Sequence, residues 1–176
     1  EKKYFYISPY RKVKYQLRNK HDKEDHYQMI KKLELSYGDH KIIYNYCKKK
    51  KIEFLSTPYD VESAKFLNKL GVKIFKTASA DLIDYNLHYY LAKIKKPVII
   101  STGMSSIEDI KKTLNLYIKH KNLNISLLHC VSNYPCSYKS INLNAIHSLK
   151  KLKFDLLLFL LQHFWKMLLL NFFVSL

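Results

Sequence analysis

Lys96-Pro97-Val98-Ile99-Ile100-Ser101-Thr102-Gly103-Met104 decides how the rest of the chain is read. An apolar run ends abruptly in Ser-Thr-Gly, and a helix start follows. Parallel-sheet enzymes set polar ligand-binding groups at the C-terminal ends of their strands in this way. The same grammar recurs at Phe54-Leu55-Ser56-Thr57-Pro58, at Ile74-Phe75-Lys76-Thr77-Ala78-Ser79, and at Leu127-Leu128-His129-Cys130-Val131-Ser132-Asn133-Tyr134-Pro135. A chain that needed only a core has no use for polar side chains at each strand end.

Outward from these strand ends, the pattern alternates between strand and helix. Ser36 with Asp39 forms a capping-box signature, and Ile42, Ile43, Tyr46 and Cys47 follow on one helical face. Ile52 to Ser56 reads as a buried strand. Asp60 caps a helix with Val61, Ala64, Leu67 and Leu70 inward, and Gly71 stops it. Val72 to Lys76 is the next strand, and Ile83, Leu87, Tyr90, Leu91 and Ile94 fall at helical spacing. After the strand Pro97 to Ser101, Ser106 and Asp109 form a second capping box. Its apolar stripe is Ile107, Ile110, Leu114 and Ile118. Asn124 to Val131 is the last clear strand. Residues 1–28 are polar, basic and tyrosine-rich, with one short element at Val13 to Leu17. An alternation repeating every ~20–30 residues is the βαβ signature of a parallel sheet. Both an open doubly wound sheet and a (β/α)8 barrel produce it, and periodicity does not choose between them.

The 176 residues suffice for one domain and one sizeable core. Lys and Arg total 31 against 14 Asp and Glu, a formal charge of +17. Such a balance fits an anionic partner: nucleic acid, an anionic membrane or a phosphorylated metabolite. It equally fits an AT-rich gene whose lysines are solvated, as in the run Lys48 to Lys51. No Gly-x-x-x-x-Gly-Lys phosphate loop occurs. Cys47, Cys130 and Cys136 form an odd set without Cys-x-x-Cys, which argues against a disulfide framework or structural zinc and for a reduced, cytoplasmic compartment. The chain opens at Glu1 and its first Met is Met29, so a fragment, or a start lying upstream, is expected; no signal peptide is visible in the charged and aromatic first residues.

The composition changes after Lys153. Residues 154–176 read FDLLLFLLQHFWKMLLLNFFVSL. A membrane helix is disfavoured by Gln162, His163 and Lys166 near the middle, since a central lysine costs ~2.5–3.5 kcal/mol on insertion scales. A buried core helix is a second reading. A frameshift-like tail of doubtful origin, outside the domain of residues 1–153, is the third and preferred one.

Lys76 ends an apolar run, which desolvates its stem and offers its ammonium to a crevice at the strand ends. Phosphate or carboxylate binding suits it, as does a Schiff base if burial depresses its pKa; a lysine reaching to solvent is the plain alternative. Ser79 and Asp81 stand within five residues, so the three can donate to one ligand and accept from it. His129, Cys130, Cys136 and His147 match no common zinc spacing; His129 reads as a hydrogen-bonded core or active-site histidine, with no metal site assigned.

Several segments, in order, resemble the sialic acid synthase family: MIKKLELS (29–36), FLSTPYD (54–60), IFKTASADL (74–82), KPVIISTGMSSIEDI (96–110) and LLHCVSNYP (127–135). The likeness covers about residues 12–150. It implies a (β/α)8 TIM-type barrel, here incomplete with about five βα units. It also implies condensation of phosphoenolpyruvate with an N-acetylated hexosamine of the N-acetylmannosamine type. In that reaction C3 of phosphoenolpyruvate attacks the open-chain aldehyde, water adds at C2, and phosphate leaves with C–O cleavage. A divalent metal, manganese or magnesium, serves as Lewis acid in the family.

By position, Lys76 resembles the family's phosphoenolpyruvate lysine, and Lys14 a second anion-binding lysine. Thr57, Ser79 and Ser101 match hydroxyls that bind phosphoenolpyruvate. Asp81 matches a carboxylate near the reacting carbons, and Ser132 and Tyr134 match sugar contacts. The family's first-strand motif, its Ser-Asp-His and Glu-x-His-Phe metal motifs and its C-terminal antifreeze-like domain have no counterpart here. The expectation is therefore a copy with little or no turnover alone, without the family's homodimer, and with neither nucleic acid nor membrane as partner. The rival readings are a Schiff-base aldolase acting through Lys76, a basic anion- or nucleic-acid-binding fragment, and a non-functional gene product.

Overall fold

The computed structural model describes residues 26–131, 136 and 138–158 of the chain. Contacts divide it into two units, Glu1–Glu53 and Phe54–Leu176. Lys14, Ser132, Tyr134 and the element expected at Val13 to Leu17 lie outside the described residues.

The first unit contributes α1 (His26–Lys32) and α2 (Tyr37–Lys49). The capping box reads as expected: Asp39 N–H donates to Ser36 Oγ at 3.0 Å, and Ser36 N–H donates back to Asp39 at 3.0 Å. None of α2 is buried, and Ile42, Ile43 and Tyr46 stay exposed. The run Lys48 to Lys51 is also exposed.

In the second unit, α3 (Val61–Leu70), α4 (Tyr85–Ile94), α5 (Ile107–Lys119) and α6 (Asn144–Lys150) alternate with four strands. These are β1 (Phe75–Thr77), β2 (Val98–Ser101), β3 (Ile125–His129) and β4 (Asp155–Leu158). The sheet is parallel throughout, in the order β1-β2-β3-β4. Strand order follows chain order without the reversal that marks the switch point of a doubly wound sheet.

The turns into the strands share one device. Gly71 stands at φ 99° before β1. Lys95 (φ 54°), Lys121 (φ 56°) and Lys153 (φ 58°) take left-handed backbone before β2, β3 and β4. Helices often end on a left-handed residue, usually glycine, because an L side chain there is strained. A chain with only three glycines places lysine there instead. Lys153 is thus the fourth use of the same turn.

Three expectations need correction. Ile52 to Ser56 is not part of the sheet: Ile52 N–H closes back on Cys47 O at 2.9 Å, and Ile52 and Leu55 are exposed. An apolar run shows a strand's composition but not whether a partner strand is there to pair with it. On α5 the inward stripe is Ile110, Thr113, Leu114 and Tyr117, whereas Ile118 is 48 % exposed. Spacings of three and four residues fit either set, and the buried hydroxyl of Tyr117 finds a partner that settles the rotation. The regular part of the chain also extends past Val131. β4 pairs with β3 from Ser126↔Asp155 to His129↔Leu158, so the sheet runs on beyond Lys153.

Side chains alternate across the sheet. Phe75, Val98, Ile100, Ile125 and Leu127 join Ala64, Leu67, Leu87, Leu91, Ile110, Leu114 and Leu149 in one core beneath the helices. The opposite face carries the register row Lys76, Ile99 and Ser126, each only half-buried.

Candidate active site at the strand ends

Lys76 is the middle residue of β1, set on the face away from the helical core. Burial lowers its pKa from the ordinary lysine value, while the Cys130 sulfur and the Asp81 carboxylate oppose that shift. Phe75 and Thr77 on either side are fully buried in the core, so the strand is anchored and Lys76 is held by its neighbours. Thr77 Oγ1 is buried without a hydrogen-bond partner.

β1 runs into a short 3₁₀ turn, Ser79–Asp81. Asp81 is half-buried, and one carboxylate oxygen has no hydrogen-bond partner. Burial, helped by the like charge of Asp84, pushes its pKa up to about 6, against the pull of Lys76 and the Ala78 backbone. A carboxyl poised there can exchange a proton near neutral pH, as general acid–base chemistry requires.

Ser79 ties three strand ends together. Gly103 N–H, past the end of β2, donates to Ser79 Oγ at 3.1 Å. Cys130 Sγ, just past β3, lies 3.1 Å from the same oxygen. Ser101 ends β2 and is 3 % exposed. Thr102 next to it fastens β2 to β3, its N–H and Oγ1 both donating to Leu128 O at 3.0 and 3.1 Å. His129 hydrogen-bonds Ile141 O through Nε2 at 2.8 Å and is nearly buried, as its reading as a hydrogen-bonded histidine expected.

Lys76, Ser79 and Asp81 therefore share one neighbourhood, with Ser101 at the adjacent strand end. Thr57 is half-buried in the segment leading to Asp60, the N-cap of α3, and no hydrogen bond joins it to that group. Cys130 was not singled out as a partner of Ser79, because nothing local in sequence links residues so far apart. A cavity of about 450 Å³ lies to one side, lined by Thr102, Ser105, His129, Cys130 and Asn142 among others, and it includes neither Lys76 nor Asp81. Among the described residues no three His, Cys, Asp or Glu side chains stand together as a metal site. No described helix is long and apolar enough to cross a membrane.

A sheet in sequential parallel order, with polar groups at its strand ends, defines an α/β protein with a strand-end site. The sequence profile of the NeuB family matches residues 2–162. The chain is 42 % identical over 142 residues to the N,N'-diacetyllegionaminic acid synthase of Campylobacter jejuni, covering 80 % of this chain and 42 % of that protein. It is 37 % identical over 142 residues to the enzyme of the same name from Legionella pneumophila, covering 78 % of this chain and 40 % of that one. Among solved structures, the N-acetylneuraminic acid synthetase of Leptospira borgpetersenii, in complex with citrate, superposes with a TM-score of 0.66 at 34 % identity. That likeness covers 71 % of this chain and 43 % of the other. The chain belongs to the NeuB family, and it spans less than half the length of these relatives.

Proposed function

We propose that the chain carries the phosphoenolpyruvate-binding part of a nonulosonic acid synthase, an enzyme of carbohydrate biosynthesis. Its sheet is read as one side of a (β/α)8 barrel. The sequential order of β1 to β4 supports this, with the core under the helices and the row of Lys76, Ile99 and Ser126 facing inward. The observation that carries the functional reading is the convergence of Lys76, Ser79 and Asp81 at strand ends in a family of synthases.

In this reading the ammonium of Lys76 and the hydroxyls of Ser79, Ser101 and Thr57 hold phosphoenolpyruvate, with Lys14 as a second cation. A fixed positive charge there also stabilises phosphate as it departs. Asp81 holds or moves a proton beside the reacting carbons. Ser132 and Tyr134 meet an N-acetylated hexosamine of the N-acetylmannosamine type. The metal expected from the family would polarise the sugar aldehyde. Turnover belongs to the complete synthase in the cytoplasm. Little or no turnover is expected of this chain by itself, because the histidine motifs that the resemblance calls for are not in its sequence.

One observation favours a second reading. Burial lowers the Lys76 pKa, and a lysine so placed can form a Schiff base with a keto acid. Pyruvate with borohydride separates the two, because the synthase chemistry has no imine. The full chain is expected to show phosphoenolpyruvate binding by calorimetry and no reduced pyruvate adduct on the peptide containing Lys76. An adduct at Lys76, with no phosphoenolpyruvate binding, assigns the aldolase chemistry instead.

A further inference from the structure

Behind the turn that carries Ser79 and Asp81, the interface between α4 and α5 buries three polar side chains. His88, Thr113 and Tyr117 are each 0 % exposed. Leucine or valine would hold two helices together without desolvating a hydroxyl or an imidazole. What these groups bond to shows what they are for. Thr113 Oγ1 donates to the carbonyl of Leu82, the residue after Asp81, at 2.7 Å. Tyr117 Oη and His88 Nδ1 are 2.7 Å apart, with the rings edge to face. The other nitrogen of His88, Nε2, has no partner at hydrogen-bond distance, and the carbonyl of Asp81 is near enough to favour the charged ring. Burial outweighs that carbonyl and lowers the His88 pKa to about 4, so the ring is neutral at physiological pH.

The turn needs outside support. Of its own two bonds, Asp81 N–H to Ala78 O is ordinary at 3.1 Å but Leu82 N–H to Ser79 O is long at 3.4 Å, as befits a single 3₁₀ turn. Asp84 N–H reaches Asp81 O at 2.9 Å, and the Asp84 carboxylate caps α4 through Asn86 and Leu87 N–H. The turn is thus seated on α4 from one end, and Thr113 of α5 grips it from behind.

We propose that Thr113, backed by the His88–Tyr117 pair, is a positioning group that fixes the Ser79–Leu82 turn and thereby holds the Asp81 carboxyl in its half-buried place beside Lys76. This rests on reading Asp81 as a site residue, but its test needs no substrate. Lys76 and Asp84 are the charged groups that act on Asp81, and neither is altered by the variants.

The test is a carboxyl-carbon NMR titration of Asp81 in the full chain, with the signal assigned through Asp81→Asn. In wild type the midpoint is expected near 6. Thr113→Val keeps the volume and loses the donor; the freed turn lets Asp81 reach water, and its midpoint falls by about one unit or more. Thr113→Ser restores the donor and the wild-type midpoint. A folded Thr113→Val that titrates like wild type overturns the proposal. If Thr113→Val does not fold, Tyr117→Phe decides. It leaves the packing and frees His88, so a fall of the Asp81 midpoint supports the proposal and an unchanged midpoint overturns it. Absence of phosphoenolpyruvate binding in the wild-type chain would sink the functional reading while leaving this coupling intact.

Discussion

Replacing Lys76 by methionine is expected to weaken phosphoenolpyruvate binding by roughly tenfold to a hundredfold, the loss of one hydrogen-bonded charge on a partly desolvated ligand. Methionine fills the space of the lysine stem, so β1 keeps its packing between Phe75 and Thr77. The melting temperature should hardly move. Affinity measured by calorimetry at constant ionic strength checks the expectation. A generic polycation offers the contrast: with Lys and Arg totalling 31, loss of one charge changes little. An unchanged affinity would therefore place anion binding on the solvated lysines, not at the strand ends.

Asp81→Asn is expected to act on stability, and in the opposite direction to most site substitutions. The folded-state pKa of Asp81 is raised to about 6 from the usual 3.8, chiefly by burial. The native state therefore binds the proton more tightly than the unfolded chain. The stabilisation is present below about pH 4 and is lost as pH rises through about 6. Asp81 is only half-buried, so solvent screening leaves about 1 kcal/mol of this. The asparagine variant should be more stable than wild type at pH 7 by about that amount, and this part of the slope between pH 4 and 6 should vanish. Urea unfolding of both proteins at several pH values decides it. A variant less stable at pH 7, with the slope intact, would mean that the carboxylate is satisfied in the native state.

Local grammar was legible in sequence because it is written in neighbouring residues. Ser36 with Asp39, Ser106 with Asp109, and Asp60 with Gly71 mark helix ends through bonds reaching three or four residues, and the structure has them all. The place of Lys76 in a strand was legible for a similar reason: it closes an apolar run that reads as β1. Long-range pairing was not legible. Ile52 to Ser56 has a strand's composition without a place in the sheet, and β4 has a place within a leucine-rich run that the sequence reading set outside the domain. His88 and Tyr117 were obscured by apolar neighbours at equally good spacings, and only their mutual hydrogen bond explains why they face inward. The contact of Ser79 with Gly103 and Cys130 joins residues far apart in the chain, and no periodicity encodes it.

In the proposed function this basic chain holds phosphoenolpyruvate at one built site. Lysine acylation of the full chain, with and without phosphoenolpyruvate, read by peptide mass spectrometry, tests it most directly. The expected result is protection of Lys76, and of Lys14 with it, while the exposed run Lys48 to Lys51 labels at an unchanged rate. Equal labelling of Lys76 in both samples, or a uniform slowing across all lysines, would contradict the account.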